Sequence, residues 1–285
     1  MSRIAYDPVK DKFARIIRRS RFLRRVFYAI LDLVFLRSWH IRRILRKNCS
    51  ELDQNGTWHL LDAGCGFGQY DRFILDTFEN VKVTSVDIKA DYIEDNRFFF
   101  QKEIEKGRIR FDVADLLNYS DETEYDFVIC IDVLEHIEED TRVMKQLNQC
   151  MNPGARFLMH SPSHYSEEDA GDEESFVDEH ARTGYSKEEI SKKMMDSGLK
   201  PLKVHYTYGP WGHRAWTLLV KWPMVMFTRF GLIAALPLLI YYPLVTPFSL
   251  LMNAADLYTA NHKGTGIYAL SEKTDSIESA SFIEK

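Results

Sequence analysis

The residues best placed for chemistry lie in the stretch Leu60-Leu-Asp-Ala-Gly-Cys-Gly-Phe-Gly-Gln69. An apolar, strand-like run enters a glycine-rich turn that opens a helix, so backbone can approach a ligand closely at a helix N-terminus. Asp87 ends the next apolar run, 19 residues after Gly68, where a carboxylate can accept hydrogen bonds from ribose hydroxyls. A dinucleotide fingerprint needs G-x-G-x-x-G, and Gly64 and Gly66 would then demand glycine at position 69, which is Gln69. The spacing found is G-x-G-x-G, with Asp62 just before it. Three histidines are candidate bases: His136 after the fourth strand-like run, His164 after the fifth, and His180 in Asp178-Glu-His-Ala-Arg-Thr-Gly-Tyr185. The first choice is His180, with Tyr185 lining an acceptor pocket and their shared loop closing over substrate. The four cysteines (Cys49, Cys65, Cys130, Cys150) have no metal-ligand spacing, so no metal is expected, and a reducing, cytoplasmic compartment fits.

Such residues need a scaffold that brings strand ends together. Strand-like runs at Trp58–Ala63, Val81–Asp87, Arg108–Val113, Tyr125–Ile131 and Ala155–Ser161 alternate with helical stretches at Tyr70–Phe78, Ala90–Lys106 and Glu138–Met151. This alternation predicts an α/β fold, a doubly wound, mostly parallel sheet. Ser186 opens a further helix through a capping box with Glu189. Pro201–Tyr208 and Gly266–Ser271 read as sixth and seventh strands. The chain divides into a basic helical arm (1–54), a core (55–208), an apolar insertion (209–263), a last core strand (264–273) and a flexible tail (274–285).

Residues 55–165 resemble the class I, seven-stranded, Rossmann-like S-adenosylmethionine-dependent methyltransferases, in their small-molecule, quinone-biosynthesis-like branch. Asp62-Ala-Gly-Cys-Gly-Phe-Gly68 looks like the family's first motif, and Val86-Asp87-Ile88 like its second-strand acid with an apolar neighbour. Val113-Ala-Asp115-Leu116 resembles the segment that contacts adenine. Tyr125 to Ile137, with Ile131-Asp-Val-Leu-Glu-His136, looks like the fourth strand and following turn, and Met151-Asn-Pro-Gly-Ala-Arg-Phe-Leu158 like the entry to the fifth. The resemblance implies that Gly64, Gly66 and Gly68 pass the methionine part of S-adenosylmethionine. Asp87 would bind the ribose, Ile88 pack on adenine, and Asp115 accept from the adenine amino group, with Leu116 and Ile131 also on the cofactor side. Asp62 would orient the loop or the cofactor's ammonium, though Asp62 as a turn cap and Asp115 as a helix N-cap are the structural alternatives. Methyl transfer is an in-line displacement in which positioning can lower the barrier by roughly 7–11 kcal/mol.

The formal net charge of −5 hides an asymmetry. Residues 1–50 carry 14 Lys/Arg against Asp7, Asp11 and Asp32, and the rest of the chain is acidic. From Phe13 to about Leu36 apolar residues recur at helical spacing with arginines between them, and a second short helix covers Ser38 to Lys47. An anionic membrane surface or a nucleic acid would suit this arm. Phe230 to Met252 is 23 residues without a charge, but Pro237, Pro243 and Pro247 are expected to break it as a helix. If the sixth and seventh strands share one sheet, the insertion must leave and return on the same side. It is therefore expected as an interfacial or re-entrant hairpin, with Trp211, Trp216, Trp222, Tyr241 and Tyr242 at interfacial depth, or as a hydrophobic wall packed on the body over the substrate. The leading expectation is methylation of a lipophilic small molecule (quinone, isoprenoid, polyene or lipid), at oxygen, on the cytoplasmic face of a membrane. The alternatives are an RNA methyltransferase using the basic arm and a non-catalytic scaffold that retains the fold.

Overall fold

The computed structural model describes residues 20–166 and 181–274. The first part of the arm helix, from Phe13 to Arg19, together with His180 and the tail beyond Thr274, lies outside them.

Two helices lead in: α1 (Arg21–Val34), capped by the Ser20 hydroxyl, and α2 (Leu36–Gln54). The core follows as β1 (Trp58–Ala63), α3 (Gln69–Thr77), β2 (Val81–Asp87), α4 (Ala90–Phe99), α5 (Gln101–Glu105), β3 (Ile109–Val113), β4 (Tyr125–Ile131), α6 (Asp140–Gln149) and β5 (Met151–Pro162). Then come α7 (Lys187–Met195), β6 (Leu199–Thr207), α8 (Pro210–Trp216), α9 (Trp222–Phe230), α10 (Ala235–Tyr258) and β7 (Gly266–Lys273). The seven strands form one sheet in the order β3-β2-β1-β4-β5-β7-β6, parallel except for β7, which runs antiparallel to both β5 and β6. This is the doubly wound sheet the alternation predicts. The order reverses between β1 and β4, and the crevice beyond the strand ends at such a point is where these sheets bind ligands.

Both faces are covered. Ile41, Leu45 and Cys49 of α2 pack with Phe73 and Ile74 of α3 on one face, and Val143, Met144 and Leu147 of α6 pack with Ile190 and Met194 of α7 on the other. All four cysteines are free and buried, so they serve as small apolar side chains. The helix expected over Ala90–Lys106 is broken at Phe100, whose ring is sunk against Phe111, centroids 5.4 Å apart.

The insertion is a helical hairpin. α8 continues through a π-helical turn at Thr217–Lys221 into α9, the chain reverses at Gly231 (φ 57°), and α10 returns. Because Thr207 of β6 pairs with Gly266 of β7, the hairpin leaves and re-enters at one end of the sheet. The prolines do not break it. α10 runs through Pro243 and Pro247, which sit on its exposed side, where a helix can bend away from the ring without opposing packing.

Candidate active site

The glycine loop joins β1 to α3, and its backbone is pinned to the neighbouring strand by Gly64 and Cys65 N–H groups donating to Val86 O at 2.8 and 3.0 Å. Gly64 adopts φ 88°, and a Cβ there would strike the Val133 side chain at 2.3 Å, so both backbone conformation and space require glycine. Gly66 adopts φ 50° with open space where a side chain would point. Gly68, in the left-handed region, caps α3. Asp87, at the end of β2, takes the Gly66 N–H at 2.9 Å on one oxygen and the Lys89 N–H at 2.9 Å on the other. Each carboxylate oxygen keeps a lone pair for a further donor, which is what a vicinal pair of ribose hydroxyls needs. Ile88 stands exposed beside it. Asp115 N-caps the short turn at Leu116–Asn118, accepting from Leu117 N at 3.0 Å, yet stays solvent-exposed at the same rim. Leu116 and Ile131 are buried and support the rim from below.

Asp62 lies beneath the loop, fully buried beside Asp71 of α3, which accepts from the Ser85 hydroxyl at 2.7 Å. Burial, reinforced by the Asp71 charge, holds the Asp62 carboxyl well above its ordinary range. Burial likewise lifts Asp71 to about 7, against the Ser85 hydrogen bond and the Arg24 charge. The pair braces β1 against α3, so the loop-orienting role is the one its geometry supports.

The arm encloses this loop. Arg24 is buried, donating to Phe67 O at 2.6 Å, to Asp95 O at 2.9 Å and to the Asn96 side chain, and its Nε donates to Tyr28 Oη at 2.7 Å. Asn96 in turn donates to Gly66 O at 2.9 Å. Gln69, first residue of α3, donates to Asp32 at 2.8 Å and to the Ser38 hydroxyl at 2.9 Å. Arg24, one of the arm's arginines, is thus spent as a buried clamp on the glycine loop.

A second cluster, absent from the sequence reading, occupies the ends of β4, β5 and β6. Asp132 follows β4 with φ 53°, an uncommon backbone for a non-glycine residue and a mark of a functionally constrained position. Its carboxylate pairs with Arg37 of α2 and accepts from His160 Nδ1 at 2.6 Å. His160 Nε2 lies 3.3 Å from the Thr207 hydroxyl, so the ring donates to Asp132 and accepts from Thr207. Burial, and then the Arg37 charge, push the His160 pKa well below its ordinary value, which keeps the imidazole neutral. Tyr208, also at positive φ (55°), accepts the Arg37 backbone N–H at 3.1 Å. Through Val133 this cluster abuts Gly64, so glycine loop and cluster line the same switch-point crevice.

Of the candidate bases, His164 and His136 are not part of it. His164 stacks on Tyr165, ring centroids 3.9 Å apart, with its Nδ1 3.3 Å from Tyr185 O. His136 is exposed in the turn at Leu134–His136. Tyr185 is a correction: its ring is wholly buried and its hydroxyl donates to Asp140 at 2.7 Å, so it anchors the loop instead of lining an open pocket. Its burial follows from the parallel bridge between Tyr185 and Ser163, which lays the loop against β5.

Among known proteins, a family described as a methyltransferase domain matches residues 61–157, which runs from β1 into β5 and contains both the glycine loop and Asp132. The crystal structure of an S-adenosylmethionine-dependent methyltransferase from Clostridium acetobutylicum superposes with a TM-score of 0.55, covering 94% of this chain and 100% of that one at 13% identity, a likeness of fold. Residues 61–157 thus match a methyltransferase domain, and the fold around them is that of the class I, S-adenosylmethionine-dependent methyltransferases. A malonyl-[acyl-carrier protein] O-methyltransferase from Ilyobacter polytropus is 26% identical to this chain over 99 residues, 35% of the chain and 36% of that protein. An (S)-coclaurine N-methyltransferase from Papaver somniferum is 27% identical over 105 residues, 35% of the chain and 29% of that protein. The chain thus matches about a third of the length of these curated relatives. S-adenosylmethionine is the family's cofactor, and the open space over Gly66, the oriented Asp87 carboxylate and the exposed Ile88 and Asp115 rim fit it.

Proposed function

We propose that the chain transfers a methyl group from S-adenosylmethionine to an oxygen of a lipophilic small molecule, of the quinone, isoprenoid, polyene or lipid kind, at the cytoplasmic surface of a membrane. The carrying observation is where the apolar insertion begins. α8 starts two residues after Tyr208, so the hairpin rises directly from the Arg37–Asp132–His160 cluster. Its outer surface exposes Leu232 (86%), Ile233 (78%), Leu236 (73%) and Leu239 (71%), a contiguous apolar face of a kind that soluble monomers rarely leave in water. The segment is long and apolar enough to cross a membrane by length and composition, but its reversal at Gly231 suits lying in an interface instead. α1 adds a second apolar strip, Phe22, Val26, Ile30 and Leu33. With Arg24 spent inside the protein, this strip favours a lipid surface over RNA as the arm's partner.

Bound S-adenosylmethionine supplies an electrophilic methyl on a sulfonium. Asp87 and the glycine loop hold the cofactor, and Asp62 with Asp71 keeps the loop in place. Asp132 is the anion available to a hydroxyl on the acceptor side, where it would orient that oxygen and take its proton. Arg37 and the neutral His160 fix the carboxylate's direction, so His160 acts as a positioning residue. The test is to incubate the protein with methyl-labelled cofactor and a membrane lipid extract, then separate the products. Label in an apolar, base-stable methyl ether is expected; label confined to RNA or to the aqueous fraction would overturn the reading.

A further inference from the structure

An open cavity of about 590 Å3 lies where α2 meets the base of the hairpin. Its wall carries Arg42, Arg43, Arg46 and Lys47, with Trp39 and Tyr258 facing it. On one helix face these cations stand three and four residues apart, a spacing at which like charges repel. The acid on the wall is Asp32, 2.8 Å from Arg42 and already engaged by Gln69, so the cluster keeps a clear positive excess. Arg43 lies over the Tyr258 ring, 4.4 Å from its centroid, and donates to Leu257 O at 3.2 Å, which ties the cationic wall to the end of α10. The pocket therefore opens where the apolar hairpin meets the polar body, the level at which phosphates lie if the hairpin lies in a bilayer.

We propose that this cavity binds the phosphate of an anionic phospholipid headgroup. The inference rests on the membrane reading above and adds the lipid class. Arg46 and Lys47 are exposed and offer direct phosphate contacts, while Trp39 and Tyr258 suit the amphipathic interface.

The experiment is co-flotation of the full chain with vesicles of phosphatidylcholine alone and of phosphatidylcholine containing phosphatidylglycerol. At about fivefold per cation, Arg46 and Lys47 together should give anionic vesicles an advantage of roughly 30-fold. The R46E/K47E variant should lose that preference yet bind neutral vesicles unchanged. A K192E/K200E variant, with the same charge change on exposed residues of α7 and β6, should keep it; equal losses in the two variants would mean diffuse charge and overturn the site. Soluble dihexanoyl phosphatidylglycerol, titrated below its micelle concentration, should bind the wild type and not R46E/K47E. If it does so while the protein floats with neither vesicle, the pocket stands and the membrane reading fails. Inorganic phosphate binding as tightly as the short-chain lipid would overturn the headgroup assignment. So would retention of an RNA oligonucleotide that R46E/K47E abolishes while the vesicle preference persists.

Discussion

Asp87 and Asp132 are both carboxylates at strand ends, and their surroundings assign them different work. Asp87 has two backbone N–H partners and faces the glycine loop, which suits a stationary acceptor for ribose hydroxyls. Removing it deletes hydrogen bonds to a charged group worth about 1.5–3 kcal/mol each, so Asp87→Ala should weaken cofactor binding on the order of 100-fold or more by calorimetry. Unchanged affinity would remove Asp87 from the site. Asp132, held by an arginine and a histidine, should instead matter for turnover. Asp132→Asn is expected to lower kcat by about 10²-fold or more with cofactor affinity intact, measured by single-turnover methylation and calorimetry on the same preparation. A parallel fall in cofactor affinity would make Asp132 part of the cofactor site instead. Asp87 was legible because its distance from the glycines is fixed by one βαβ unit. Asp132 and His160 were not singled out, although a histidine interrupting the apolar run Phe157-Leu-Met159 was a visible signal. Arg37 could not be read at all, since its partner Asp132 lies 95 residues away and only the docking of α2 unites them.

Elements carry the site by being locked to one another, and β1 and α3 are locked through two buried acids. A carboxyl whose folded pKa is raised contributes its stability below the unfolded value and loses it as pH climbs through the folded one. For Asp71 that window runs from 3.8 to about 7, so at slightly alkaline pH the pair strains the junction under the glycine loop. Asp71→Asn keeps an acceptor for Ser85 and offers Asp62 a permanent donor. The variant should therefore unfold at higher urea than the wild type at pH 8, by about 1–3 kcal/mol, with a smaller gain at pH 5. A variant less stable at pH 8, or one whose gain ignores pH, would sink the account of a buried Asp71 whose pKa is raised. The strands were legible for a related reason: buried parallel strands read as continuous apolar runs, so β1, β2 and β4 begin and end where the sequence places them. The hairpin helices were harder, because a long apolar helix runs through Pro243 and Pro247 with their rings on its exposed side, where they meet no packed neighbour.

At the scale of the whole molecule, one half of the sheet carries the glycine loop and Asp87, and the other half carries the hairpin. The order β5-β7-β6 places the hairpin at the end of the sheet that also holds Asp132, His160 and Thr207, so that, under the proposed membrane function, an acceptor dissolved in lipid would reach the crevice without crossing water. Asp256, buried in α10, fastens the hairpin's two arms by accepting the Gly212 N–H at 3.0 Å, while the Tyr241 and Tyr242 hydroxyls donate to Leu218 O and Leu219 O. Those tyrosines are thereby hairpin staples, whereas Trp211 and Trp222 stay exposed. Because Leu232 and Leu236 touch mostly solvent, charging them leaves the fold's own packing alone. Burying each such side chain is worth about 1.5–3 kcal/mol, so Leu232→Asp with Leu236→Asp should weaken partition onto neutral phosphatidylcholine vesicles on the order of 100-fold. Cofactor affinity should stay at the wild-type value, and methylation of a water-soluble short-chain acceptor should persist while methylation of a vesicle-borne acceptor collapses. Undiminished flotation of the double variant would show that the hairpin is no membrane anchor, and its apolar face would then require a protein partner.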